Sequence, residues 1–212
     1  MSIRVLLADD HAAIRMGLAM ILNAAEGIEV VAEAADGASA VRKAVELRPD
    51  VALMDIRMPG LDGIEATRRL VADDICQVLV LTTFDLDEYV YGALRAGAAG
   101  FLLKSVEAAR LVEAVRLVAA GDGVLEPSVT RPVLAACAAV SPQRHVSLAE
   151  LTDRERDVLA CLGEGLSNYQ IARRLGIGEA TVKTHVSRVL TKLDVRSRVQ
   201  AAMIARDSGL AL

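Results

Sequence analysis

The sequence predicts a doubly wound α/β domain followed by a small all-α domain. Over the first 121 residues, a short apolar run followed by a segment of helical periodicity occurs five times in succession. Short, nearly continuous apolar runs are typical of parallel strands buried on both faces, and their alternation with helices predicts an α/β sheet. From residue 151 the pattern is purely helical. The net charge changes with it, from −7 over residues 1–125 to +3 over residues 151–212, which indicates two domains with different partners.

Five strands form the predicted parallel sheet, and each is followed by its own helix. The strands are predicted at Ile3–Ala8, Ile28–Ala34, Val51–Met54, Val78–Leu81 and Gly100–Leu103, and the helices at about 12–25, 37–47, 62–72, 87–96 and 106–120.

A linker is predicted between the two domains because prolines interrupt an Ala-rich segment there. A short helix is expected at Pro132–Val140, and the residues from Ser141 to Ser147 are expected to be flexible. The predicted boundaries are 1–121 for the first domain, 122–147 for the linker and 148–212 for the second domain.

Composition excludes several classes of protein. The longest stretch without a charged residue has 12 residues, Pro132 to Gln143, whereas a membrane-spanning helix needs about 20. No signal-peptide pattern precedes the first strand, so we expect a cytoplasmic protein without membrane association. Three widely spaced cysteines suit reduced thiols and give no metal-site spacing. With 2% aromatic residues and no Trp, a stacking platform for single-stranded nucleic acid is excluded.

Polar residues stand at the carboxyl ends of four predicted strands, where ligands bind in open α/β sheets. Asp9 and Asp10 follow the first strand, Asp55 the third, Thr82 the fourth and Lys104 the fifth. Three neighbouring carboxylates are unfavourable unless a cation or a proton shares the site. Carboxylate oxygens with room for water suit Mg²⁺, which is the one cofactor that we predict.

These residue types also predict a reaction. Asp55 can attack a phosphoryl group as a nucleophile and form an acyl phosphate. A bound Mg²⁺ and the ammonium of Lys104 would neutralise charge on the phosphoryl oxygens. Thr82 would donate a hydrogen bond to one of those oxygens.

The first domain resembles a response-regulator receiver domain, which has a flavodoxin-like fold, over about residues 3–121. The resemblance implies that a partner histidine kinase phosphorylates Asp55. It also implies that Asp10 binds Mg²⁺ directly and Asp9 through water, that Asp55 and the backbone carbonyl of Arg57 complete the metal site, and that Thr82 and Phe101 change conformation as a switch. The matching segments are Asp9-Asp10, Met54-Asp55-Ile56-Arg57-Met58-Pro59-Gly60, Thr82, and Ala96-Gly97-Ala98 through Phe101 to Lys104.

Two other α/β classes fit less well. A dinucleotide-binding domain would need a glycine-rich turn after the first strand, and Leu7–His11 contains no glycine. A haloacid-dehalogenase-like phosphatase also forms an aspartyl phosphate, but that family has a second Asp two residues after the nucleophile, where this chain has Arg57. The hydrolase is therefore the weaker alternative.

The second domain contains a predicted helix-turn-helix, two short helices joined by a tight turn that contains glycine. Thr152 and Ser167 are placed to cap the first two helices, and Gly176 to end the second. The third helix, about Glu179–Leu193, is expected to bury Val182, Val186, Val189 and Leu193. Its opposite face suits the DNA major groove and carries Lys183, Thr184, Ser187, Arg188 and Lys192.

The same domain resembles the LuxR-type helix-turn-helix, with motifs from Leu151-Thr152-Asp153-Arg154-Glu155 to Lys192-Leu193-Asp194-Val195-Arg196. The resemblance implies that Lys183, Thr184 and Ser187 approach bases and that the last helix pairs two subunits. Gly178 departs from the pattern, since family members often have a serine cap there. Contacts with phosphate are implied for Thr181, His185 and Arg188.

Together the two domains resemble a NarL/LuxR-type response regulator, a transcription factor of a two-component system. The resemblance implies a histidine kinase, a double-stranded DNA operator, and a homodimer formed when Asp55 is phosphorylated. A turnover enzyme on a small substrate is not expected. The alternative is a regulator that binds DNA without phosphorylation and uses its receiver as a fixed dimerisation module.

Overall fold

The computed structural model describes residues 2–82, 92–125 and 148–210. The chain divides into two compact units, Met1–Thr130 and Arg131–Leu212. The predicted helix at Pro132–Val140 and most of the predicted linker lie outside the described residues.

The first unit is built on a parallel sheet with the strand order β2-β1-β3-β4-β5-β6. The five predicted strands are confirmed. A sixth, which the sequence pattern did not predict, pairs Gly100 with Val124 and Phe101 with Leu125, so the sheet continues into the segment predicted as linker. The strands are β1 Ile3–Ala8, β2 Ile28–Ala34, β3 Val51–Asp55, β4 Gln77–Thr82, β5 Gly100–Leu103 and β6 Val124–Leu125.

Helices cover both faces of this sheet, which confirms the doubly wound α/β prediction. The first and last helices pack on one face, where Leu22 and Leu111 join a buried cluster with Leu7, Leu53 and Leu81. Alternate strand residues point to the other face, which the second and third helices cover. Residues 92–95 are helical, and the rest of the predicted helix at 87–96 lies outside the described residues, apart from Ala96. The helices are α1 Ala12–Asn23, α2 Gly37–Leu47, α3 Gly63–Ala72 and α4 Ala108–Ala119.

The second unit is all-α, as predicted. Its three capping boxes pair Thr152 with Glu155, Ser167 with Gln170, and Ser197 with Gln200, so the chain specifies where three helices begin. After a 3₁₀ turn at Leu148–Glu150, the helices are α5 Asp153–Gly163, α6 Asn168–Leu175, α7 Glu179–Lys192 and α8 Arg198–Asp207.

The turn between α6 and α7 requires glycine. Gly176 follows α6 with φ +65°, in the left-handed region, where a side chain would be strained. This conformation ends α6 and directs the chain into α7 within three residues. No helix among the described residues is long and apolar enough to cross a membrane.

Candidate functional site

A lysine and two carboxylates meet at the carboxyl edge of the sheet. The Nζ atom of Lys104 lies 2.6 Å from Oδ2 of Asp9 and 2.8 Å from Oδ2 of Asp55. All three side chains are at least nine-tenths buried, with 9%, 2% and 7% of their surface exposed. The structure therefore brings together three of the residues that the strand ends predicted.

Strand pairing positions these groups. Asp55 is the last residue of β3, and its Oδ1 accepts a hydrogen bond from the backbone N–H of Ile56 at 2.8 Å. Thr82 ends β4 and is buried. The backbone N–H of Lys104, just after β5, donates to the carbonyl of Thr82 at 2.7 Å. Thr82 and Lys104 are thus neighbours at the same edge as Asp55.

A glycine that sequence analysis missed sets the distance between α3 and this edge. The backbone N–H of Gly63 donates to the carbonyl of Ile56 at 2.9 Å. A Cβ atom at Gly63 would lie 1.9 Å from the carbonyl oxygen of Asp55, so any side chain would displace the backbone of Asp55. In the sequence, Asp62-Gly63 has the pattern of a simple turn, which hides the need for this glycine. In the structure, Asp62 caps α3 and Gly63 is the first residue of that helix.

Burial and charge act against each other on Asp55. Burial raises the pKa of its carboxyl group, and the hydrogen bond and charge of Lys104 only partly offset that effect. The negative charge of Asp9 raises the pKa further. Burial lowers the pKa of Lys104, but the hydrogen bonds and charges of Asp55 and Asp9 outweigh it, so the pKa is raised overall. Lys104 therefore stays protonated next to the carboxyl groups of Asp55 and Asp9.

The remaining predicted metal ligands, Asp10 and Arg57, are more exposed than Asp9 and Asp55. The side chain of Asp10 is 33% exposed, and Arg57 is exposed two residues after Asp55. His11, which sequence analysis did not select, places Nδ1 2.6 Å from Oδ1 of Asp10. Asp9, Asp10 and His11 offer ligand atoms that all lie within 4.8 Å of one another.

These residues fit a divalent cation. The buried Oδ2 of Asp9 is paired with Nζ of Lys104, which is also paired with Asp55. Three carboxylates against one ammonium leave an excess of negative charge, which a hard cation such as Mg²⁺ would balance.

Phe101 does not reach the surface of this site. It is fully buried on β5, in register with Val80 of β4 and Leu125 of β6. In this conformation the ring belongs to the core, and the switch predicted for Phe101 stays a prediction.

In the second unit, α7 separates a buried stripe from a polar face as predicted. Val182, Val186 and Val189 are buried, and so is Leu193 just after the helix. His185 is half-buried, and among the described residues its buried Nδ1 has no hydrogen-bond partner. The exposed polar residues of the opposite face are Thr181, Lys183, Thr184, Ser187 and Arg188.

Lys192, predicted to face DNA, is engaged within its own domain. Its Nζ lies 2.6 Å from Oε2 of Glu155 and 3.0 Å from the carbonyl of Glu150. Oε2 of Glu155 also accepts from the backbone N–H of Thr152 at 2.9 Å, and these bonds hold the pKa of Glu155 down, at about 2. Lys192 thus fastens the end of α7 to the beginning of α5.

Comparison with known proteins defines the class. Residues 5–116 match the response regulator receiver domain, and residues 149–205 match the luxR family of bacterial regulatory proteins. The chain belongs to the response regulators of two-component systems, with a receiver domain followed by a LuxR-type DNA-binding domain.

Named relatives cover almost the whole chain. The transcriptional regulatory protein LiaR of Bacillus subtilis is 44% identical over 209 residues, 98% of this chain and 99% of LiaR. The response regulator protein VraR of Staphylococcus aureus is 41% identical over 206 residues, 97% of each chain. The crystal structure of the response regulator ChrA, from a heme-sensing two-component system, has 40% identity and a TM-score of 0.56, and covers 99% of this chain and 98% of ChrA.

Proposed function

We propose that a histidine kinase phosphorylates this regulator on Asp55 and that phosphorylation controls its binding to operator DNA. The observation that carries the proposal is the position of Asp55 at the end of β3, 2.8 Å from the ammonium of Lys104. A carboxylate beside a buried cation suits attack on a phosphoryl group, whose negative oxygens the cation stabilises.

In the transfer step, a carboxylate oxygen of Asp55 attacks the phosphorus of a phosphohistidine on the kinase. The new P–O bond forms as the P–N bond breaks, and the imidazole leaves with the electron pair of that bond. Lys104 stabilises the phosphoryl oxygens throughout, and the hydroxyl of Thr82 donates to one of them. Phe101 then changes rotamer as the receiver surface switches.

Mg²⁺ would be held by Asp10 directly, by Asp9 through water, by Asp55, and by the backbone carbonyl of Arg57. When bound, the ion neutralises charge on the transferring phosphoryl group. The buried acids and the exposed side of Asp10 support this assignment, because they provide oxygen ligands together with access for water.

The second unit reads double-stranded DNA through α7. Exposed Lys183, Thr184 and Ser187 approach base edges in the major groove. Thr181, Arg188 and the half-buried His185 contact phosphates. We leave Lys192 out of this interface, because its ammonium is bound to Glu155 and Glu150.

Phosphorylation would promote dimerisation, release of the DNA-binding domain, or both. A dimer would engage two half-sites, and the second half-site would raise DNA affinity. We further propose that the protein acts in the cytoplasm, as a regulator and not as a turnover hydrolase. The second domain is proposed at 148–212, and the first extends past the predicted limit of residue 121, because β6 at Val124–Leu125 pairs with β5.

The alternative is a regulator whose DNA binding does not depend on phosphorylation, with the receiver as a fixed dimerisation module. The buried Asp55–Lys104–Asp9 cluster favours the phosphorylated mechanism. A dimerisation module would not need two acids held against a lysine.

Intact-mass spectrometry tests the proposal. The full chain is incubated with a small-molecule phosphodonor and Mg²⁺. The wild type is expected to gain the mass of one phosphoryl group, whereas Asp55→Asn gains none. Asp73→Asn, which alters an exposed carboxyl group at the end of α3, is the matched control and is expected to react like the wild type. Equal labelling of wild type and Asp55→Asn would contradict the proposal.

A further inference from the structure

His11 lies next to the acidic site, which we define as Asp9, Asp10, Asp55 and Lys104, and contacts its first two residues. Its Nδ1 atom lies 2.6 Å from Oδ1 of Asp10 and 3.5 Å from Oδ1 of Asp9. The backbone N–H of His11 donates to Oδ1 of Asp9 at 2.9 Å, which fixes the residue against the acid pair. Because 66% of its side chain is exposed, the imidazole has little packing role in the core.

The spacing of these donor atoms suits shared coordination. Neighbouring ligands of an octahedral ion with bonds of about 2.1 Å lie about 3.0 Å apart, and the two distances from Nδ1 lie on either side of that value. The charges also point to a cation, because the ammonium of Lys104 faces the two carboxylates of Asp9 and Asp55, and Asp10 adds a third.

We propose that Nδ1 of His11 is a ligand of the divalent ion at this site, beside Asp10. This inference rests on the metal site proposed above and adds a nitrogen to its oxygen ligands. Imidazole nitrogen favours ions such as Ni²⁺ and Co²⁺ over Mg²⁺, which prefers oxygen. His11 therefore makes this receiver more tolerant of transition-metal ions than a site built from carboxylates alone.

The metal-free contacts agree with this role. Without an ion, Nδ1 of His11 and Oδ1 of Asp10 lie within hydrogen-bond distance of each other. The same two atoms would be ligands of a bound ion. The side chains then need only small movements, since the donor atoms already lie within 4.8 Å of one another.

Pulsed electron paramagnetic resonance of Mn²⁺ bound to the full chain tests the inference directly. A coordinated imidazole couples its nitrogen nucleus to the Mn²⁺ electron spin. The wild type is expected to show this coupling, and His11→Ala and His11→Gln are expected to lose it. His185→Ala, which removes an imidazole from α7, is the matched control and is expected to keep it.

Calorimetric titration with Ni²⁺ and Mg²⁺ provides a second readout. His11→Gln is expected to weaken Ni²⁺ binding by at least about tenfold, because even the loss of an outer-shell partner costs about 10–100-fold in metal affinity. Mg²⁺ binding is expected to change less, since water supplies an oxygen in place of the imidazole.

The outcomes separate this inference from the proposed function. Mn²⁺ that binds without nitrogen coupling would overturn the role of His11 and leave the metal site intact. A wild type that binds neither Mn²⁺ nor Mg²⁺ would overturn the metal site itself, and the role of His11 with it. An equal loss of Ni²⁺ and Mg²⁺ affinity in His11→Gln would overturn the claim of selectivity.

Discussion

At the scale of single residues, the acidic site places two buried carboxylates against one ammonium. Because burial raises the pKa of Asp55, its ionised form opposes folding. The stability that Asp55 contributes is present below the pKa of an unfolded aspartate and is lost as pH rises through the raised folded value. The ionised carboxylate of Asp55 is a charge that the fold alone does not favour, which supports its proposed role as the phosphoryl acceptor.

Asp55→Asn is therefore expected to stabilise the chain at neutral pH, because it leaves Lys104 in a balanced pair with Asp9. We expect a rise in the unfolding temperature of roughly 2–4 °C, which corresponds to about 1 kcal/mol. The difference should shrink in acid, where Asp55 is protonated in the wild type. Thermal unfolding followed by circular dichroism, with Asp73→Asn as control, measures it. A less stable Asp55→Asn at pH 7 would contradict this account.

The sequence predicted site residues that stand at strand ends, and it missed residues whose role depends on close approach. Asp9, Asp55 and Lys104 were found because parallel strands bring their carboxyl ends to one edge. The need for Gly63 follows from a backbone atom of Asp55 in another segment, which no local pattern reveals. His11 lay next to the predicted acids, but its direction towards Asp10 is a property of the folded chain.

At the scale of elements, Lys183 and Lys192 lie on the same helix and have different environments. Periodicity placed both on the polar face of α7. The structure ties Lys192 to Glu155, 37 residues earlier in the chain, and leaves Lys183 exposed. Helical spacing alone cannot distinguish them, because the partner of Lys192 comes from another helix.

We therefore expect substitution of Lys192 to reduce stability and substitution of Lys183 to reduce DNA affinity. Lys192→Met is expected to destabilise the second unit by about 1 kcal/mol, with little change in DNA affinity. Lys183→Met is expected to keep its stability and to lose about 1–3 kcal/mol of DNA-binding free energy. Urea unfolding, and titration of a duplex selected from random sequence, measure the two effects. If Lys192→Met weakened DNA binding without loss of stability, our assignment would be wrong.

The same contact predicts a response to acid. The pKa of Glu155 is lowered to about 2, so its contribution to stability is present above the unfolded glutamate value of about 4.3. It is lost as pH falls through about 2. Glu155→Gln is expected to lack this part of the acid dependence. An acid-unfolding profile identical to that of the wild type would show that the Lys192 contact contributes nothing.

Helix α7 is preceded by a glycine at its N-cap position, where there is room for a capping side chain. Gly178 has φ −73°, and a Cβ there would meet only Thr181 Oγ1, at 3.9 Å. Gly178→Ser is expected to stabilise the second unit by about a few tenths of a kcal/mol, and Gly178→Ala to destabilise it. Urea unfolding of both variants tests this prediction. Gly178→Ser is expected to have the higher free energy of unfolding, and the reverse order would contradict the prediction.

At the scale of the whole molecule, the sequence predicted the order of elements and the two-unit division. Strand and helix limits agreed closely because apolar runs and capping residues are local signals. The strand β6 was missed because two residues are too few to show a hydrophobic pattern. This strand is defined by its pairing with β5.

The central claim is that phosphorylation of Asp55 switches the state of the whole chain. Light scattering of the full chain, with and without beryllofluoride and Mg²⁺ as a stable phosphoryl analogue, tests it most directly. We expect the wild type to shift from monomer to dimer and Asp55→Asn to remain monomeric. A dimer already present without the analogue, or the same shift in Asp55→Asn, would contradict the claim. A monomer under both conditions would leave release of the DNA-binding domain as the switch.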